Sequence, residues 1–77
     1  MAKDINYILK KILLKKTKKK IKDNFIFVRS GLFDSIDILN TISEIESKFK
    51  IKFSEKDLSN IKNFDIKKIT QLIKKKL

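Results

Sequence analysis

The chain contains no cysteine, no histidine, no proline and one glycine among its 77 residues. Without cysteine there is neither a disulfide framework nor a thiolate metal site. Without histidine, the commonest metal ligand and the usual general base at neutral pH are both missing. Ser35 has no histidine to activate it, and nothing in the sequence marks a buried lysine as a substitute, so an enzyme is not expected and no metal site is expected either. The near absence of proline and glycine removes the two residues that most disfavour helix interiors. The longest apolar run is Phe25-Ile26-Phe27-Val28, far short of the roughly 20 residues that a membrane span needs. No apolar stretch with a small-residue cleavage site stands at the N-terminus, so a cytoplasmic protein without a membrane span is expected.

What is present is charge, at a formal +11. Such a balance suggests a polyanionic partner. Yet 19 of the 20 basic residues are Lys and only Arg29 is Arg, whereas base-reading and phosphate-clamping surfaces favour the bidentate guanidinium. A length of 77 residues with 42% apolar content suits one core, and residues 1–77 are expected to form one domain.

The periodicity is helical. Ile5, Ile8, Leu9, Ile12 and Leu13 form the apolar stripe of a first helix that Asp4 would cap. Its flanking lysines also fit a basic membrane-surface helix, but packing in a core is the commoner fate of such a stripe. Lys15 to Asp23 reads as a solvated helix end and loop, and Phe25 to Val28 as an extended loop anchored by its phenylalanines, because no second strand exists to pair with it. The connection from roughly Thr17 to Asp34 is long for a compact domain, and loops of that length are uncommon unless they are functional. Gly31 supplies a turn before the second helix. That helix spans 35–49, with Ile38, Ile42, Ile45 and Phe49 inward, Leu39 widening the stripe, Asp34 as N-cap and Asp37 completing a capping box. A short helix starts at Ser54 with Asp57 three residues on, burying Leu58 and Ile61. Asp65 caps a last helix with Ile66, Ile69, Leu72, Ile73 and Leu77 inward, and the lysines of its final turn complement the helix dipole. The expected fold is an all-α four-helix bundle with three longer helices, one short third helix and a long loop between helices one and two.

The segment Ser30-Gly31-Leu32-Phe33-Asp34-Ser35-Ile36-Asp37-Ile38-Leu39 resembles the phosphopantetheine attachment motif of acyl and peptidyl carrier proteins: a glycine, two residues, then Asp-Ser-hydrophobe-acid opening a helix. Glu44-Ile45-Glu46-Ser47-Lys48-Phe49 and Lys50-Ile51-Lys52-Phe53 are similar to that family's acid-rich end of helix two and the apolar position before the short third helix. The likeness covers roughly Asp23 to Ile73. It implies a 4'-phosphopantetheine arm, taken from coenzyme A and attached covalently to Ser35 by a phosphopantetheinyl transferase, with Asp34 supporting that transfer by helping to bind its metal. It also implies acyl or aminoacyl groups carried as thioesters to loading and synthase enzymes, in fatty acid biosynthesis and lipid metabolism, in D-alanylation or in a specialised pathway. A monomer is implied. The physical logic stands without the family, since a phosphodiester in the first turn of a helix meets unpaired N–H groups and the positive end of the dipole.

The charge is unevenly distributed. Residues 1–29 carry +8 and residues 48–77 carry +7, whereas residues 30–47 carry −4 through Asp34, Asp37, Glu44 and Glu46, with no basic residue. Ile36 lies off the core stripe and is expected to be exposed. Ile36, Asp37, Glu44 and Glu46 are therefore the expected partner-docking residues, although Asn40, Ser43, Ser47 and Lys48 thin out the acidity that most carriers show on helix two. The competing reading is a small Lys-rich nucleic-acid-binding protein using the 15–22 and 74–76 lysines. It lacks interleaved aromatic residues and an Arg-bearing recognition helix, and specific nucleic-acid binding is not expected.

Overall fold

In the computed structural model, which describes residues 2–77 and the side chains from Ile5 onward, four helices form: α1 (Ala2–Thr17), α2 (Ser35–Phe49), α3 (Glu55–Ile61) and α4 (Ile66–Lys76). No strand occurs among the described residues, and the all-α bundle with a short third helix is the observed fold. Ile5, Leu9, Ile12 and Leu13 of α1 are buried, with Ile8 half-buried. They pack chiefly against α4 and secondarily against α2. Ile66, Ile69 and Ile73 of α4 are fully buried beside Leu9, Leu13, Ile45 and Ile61. The Cα radius of gyration is 11.2 Å, close to the ~11.5 Å that the size scaling of packed chains gives for this length.

Local chemistry sets the helix starts. Asp34 caps α2 and Ser54 caps α3, each in a reciprocal box with an aspartate three residues on, and Asp65 caps α4. Three expectations are corrected. Asp4 does not cap α1, which already starts at Ala2; the Asp4 side chain lies outside the described residues. Leu39 is 64% exposed, because the buried stripe of α2 is centred on Ile38, Ile42 and Ile45 and its other flank is filled by the small Thr41, buried against the α1 side. Leu77 is exposed, since it follows the last residue of α4 and no element covers it.

The α1–α2 connection is a string of turns rather than an extended loop, and its phenylalanines anchor it to the core as expected. Lys18 adopts a left-handed conformation (φ 56°) and its N–H donates to the Leu14 carbonyl at 2.8 Å, ending α1. Ile21, Phe27 and Phe33 are buried, and the Phe27 and Phe33 rings meet edge-on with centroids 5.3 Å apart. The loop also holds α4. The Asp23 and Phe25 carbonyls accept from the N–H groups of Lys67 (3.1 Å) and Ile66 (3.0 Å), two of the four first-turn donors that a helix cannot satisfy internally. Arg29 Nε donates to Asn63 Oδ1 at 2.8 Å, tying the loop to the α3–α4 turn.

Candidate functional site

The site begins with the turn before α2. Ser30 Oγ donates to the Phe27 carbonyl (2.8 Å) and accepts from the Leu32 N–H (3.2 Å), and Gly31 takes φ +81°, a region that a Cβ disfavours. Phe33, buried in the core, then fixes where the helix starts. Asp34 has extended backbone and its Oδ1 accepts the Asp37 N–H at 2.8 Å, while Asp37 Oδ2 accepts the Asp34 N–H at 3.3 Å. The Ile38 N–H donates to the Asp34 carbonyl at 2.9 Å. The N–H groups of Ser35 and Ile36 therefore precede the first helical hydrogen bond and have no acceptor within the helix. Ser35 is the first residue of α2 and is exposed. An anion on its oxygen would sit beside those donors and the positive end of the helix dipole.

The four carboxylates contiguous in charge along the sequence separate in space. Asp37 and Glu44 are seven residues apart and share the flank of α2 that faces α1. There Lys16 Nζ lies 2.9 Å from Asp37 Oδ2 and Lys15 Nζ lies 2.9 Å from Glu44 Oε2. The hydrogen bond from Lys16 holds the Asp37 carboxyl below its ordinary range, and the same bond raises the Lys16 ammonium above its own. Glu46 projects from the opposite flank, where its Oε2 accepts the Phe53 N–H at 2.8 Å and braces the α2–α3 connection. Between the two flanks runs a solvent ridge on which Ile36 is 68% exposed, followed by Asn40, Ser43 and Ser47.

Beside Ser35 lies an apolar groove of about 330 Å³, lined by Val28, Ile38, Leu39, Ile42, Leu58 and Ile61, with Lys62 as its one charged wall. The exposed Leu39 thus belongs to this groove. That Val28, Leu58, Ile61 and Lys62 gather around Ser35 is not legible in the sequence, because they come from the α1–α2 loop, from α3 and from its C-cap, and only packing brings them there. Nor did it pair Lys15 and Lys16 with the α2 carboxylates. The structure does unite Asp34, Ser35, Ile36 and Asp37 in one turn, while Glu44 lies about two turns on and Glu46 faces away from it.

A curated protein of Mycoplasmopsis pulmonis (strain UAB CTIP), named acyl carrier protein homolog, is 40% identical to the chain over 50 residues, which are 65% of this chain and 67% of that protein. No protein-family profile and no solved structure matches the chain.

Proposed function

Because the chain belongs to the acyl carrier protein family, we propose that it is a non-catalytic carrier whose Ser35 bears a 4'-phosphopantetheine arm. The observation that carries this reading is the position of Ser35: exposed, first in α2, and preceded by the capping Asp34 and a glycine turn. The residues fit the group, since the free first-turn N–H groups favour its phosphate and the adjacent groove offers an apolar chain a place beside the attachment point. When bound, the arm supplies a thiol for thioester linkage that this cysteine-free chain lacks.

Each neighbouring residue has a part. Asp34 holds the helix start that presents the Ser35 hydroxyl and offers a carboxylate to the metal of an incoming phosphopantetheinyl transferase. Ile36 is the apolar anchor for partner enzymes that load or extend acyl or aminoacyl groups. Asp37 and Glu44 are charges that a partner reaches by competing with Lys16 and Lys15, and Glu46 lies on the far flank of the same helix. The apolar lining of the groove favours an aliphatic cargo over an aminoacyl one. Fatty acid biosynthesis, a cytoplasmic location and a monomeric single-domain form complete the reading.

The test is intact mass after incubation with coenzyme A, Mg²⁺ and a broad-specificity phosphopantetheinyl transferase. Wild type should gain one phosphopantetheine group and Ser35→Ala none, with unchanged helical circular dichroism. Labelling that persists in Ser35→Ala, or its absence from wild type with every such transferase, overturns the assignment.

A further inference from the structure

We propose that the outer face of α1 and the lysine-rich turn after it form a docking surface for an anionic phospholipid bilayer, with Tyr7 and Leu14 as its apolar contacts. The packing of α1 separates its two faces. Ile5, Leu9, Ile12 and Leu13 are consumed by the core, so the apolar stripe that suggested a membrane helix in the sequence is not available to lipid. The opposite face is unusual in its own right. Tyr7 is 62% and Leu14 is 43% exposed, and they lie two turns apart along one line of the helix. Lys11 stands between them, its Nζ 5.3 Å from the centroid of the Tyr7 ring, and Lys18 follows at the end of α1. Lys18, Lys19, Lys20 and Lys22 are all exposed, and Lys15, also exposed, is paired with Glu44 at 2.9 Å.

This arrangement matches a bilayer surface better than a nucleic acid. Tyrosine places an apolar ring and a polar tip at the headgroup level, and lysine stems lie along apolar surface while their ammonium groups reach phosphate. A cluster of four to eight basic residues beside such a face is the pattern that anionic lipids attract. Little opposes it. Between Ile5 and Phe33 the only acidic residue is Asp23, whose carboxylate is 2.7 Å from Lys10 Nζ, and the α2 carboxylates Glu44 and Asp37 that reach α1 are each engaged, by Lys15 and Lys16 at 2.9 Å. The proposal uses no property of Ser35, so it stands or falls separately from the carrier reading.

The experiment is flotation of the full chain with vesicles of phosphatidylglycerol and phosphatidylcholine, and with phosphatidylcholine alone, in low and moderate salt. The protein should float with the anionic vesicles only, and less as salt rises. Tyr7 is the single tyrosine and there is no tryptophan, so quenching of its emission by brominated phosphatidylglycerol reports directly on that residue. The exposed pair Tyr7→Ala/Leu14→Ala should weaken binding about tenfold without altering charge. Lys18→Gln/Lys19→Gln/Lys20→Gln should weaken it by at least about tenfold, whereas Lys56→Gln/Lys68→Gln/Lys75→Gln, which removes equal charge from the α3–α4 surface, should change it less than twofold. Unquenched Tyr7, equal flotation with neutral vesicles, an unaffected Tyr7/Leu14 variant or an equal loss in the α3–α4 variant overturns the proposal. So does tight binding to single-stranded RNA without flotation, which would make the basic face a nucleic-acid surface.

Discussion

Asp34 joins two duties that substitution separates. As N-cap it accepts the Asp37 N–H at 2.8 Å, and under the proposed function its carboxylate next to Ser35 also holds a cation during arm transfer. Replacing it with Ala should cost about 1 kcal/mol of stability, typical of a lost cap, whereas Asn, an equally good cap, should leave stability nearly unchanged. Both variants lose the carboxylate, so both should slow phosphopantetheine transfer at least about tenfold if the charge matters to chemistry. Urea denaturation beside transfer kinetics distinguishes the cases. An Asp34→Asn variant with wild-type transfer rates would reduce Asp34 to a cap.

At the scale of elements, the α1–α2 connection behaves as a fifth structural unit. Phe27 is fully buried in the middle of it, against Phe33, while carbonyls of Asp23 and Phe25 receive the first N–H groups of α4. Phe27→Ala should therefore destabilise as a helix-core truncation does, by about 3–5 kcal/mol, a large part of the 5–15 kcal/mol that a domain possesses. Leu32→Ala, in the same connection but 44% exposed, should stay within about 0.5 kcal/mol of wild type. Thermal melts followed by circular dichroism at 222 nm measure both. Equal, small shifts for the two variants would mean that the connection is merely a tether.

For the whole molecule the governing quantity is +11. Asp23, Asp37 and Asp57 have carboxyls lowered from 3.8, chiefly by hydrogen bonds from Lys10, Lys16 and Lys76 respectively. A carboxyl whose folded pKa lies below its unfolded one adds stability above the unfolded value, and that stability is lost as pH falls through the folded value. Protonating all nine carboxylates also carries the net charge toward +20, so loss of the pairs and self-repulsion act together. With no histidine, no side chain at its ordinary pKa titrates between about pH 5 and 8. The melting temperature should thus be flat across that interval and fall steeply below pH 3.8, with a smaller fall at 0.2 M than at 10 mM salt because repulsion among exposed ammonium groups is screened. A transition centred near neutrality would contradict this account.

The helix starts at Ser35, Glu55 and Ile66 were legible in the sequence because capping is local: Asp34, Ser54 and Asp65 each satisfy an N–H group three residues away, and no distant partner is needed. So was the exposure of Ile36, which follows from its angle on α2 relative to Ile38, Ile42 and Ile45. The same geometry that makes Ser35 an exposed first-turn residue is written in ten consecutive letters. What the sequence could not contain is any relation between elements. The burial of Thr41 and release of Leu39 depend on how α2 lies against α1. The pairing of Lys15 and Lys16 with Glu44 and Asp37, the diversion of Glu46 to the Phe53 N–H, and the groove that Val28, Leu58 and Ile61 build beside Ser35 depend on packing at separations of seven to twenty-nine residues. Such contacts arise from burying one shared core, and a one-dimensional pattern records which faces are apolar without recording which faces meet.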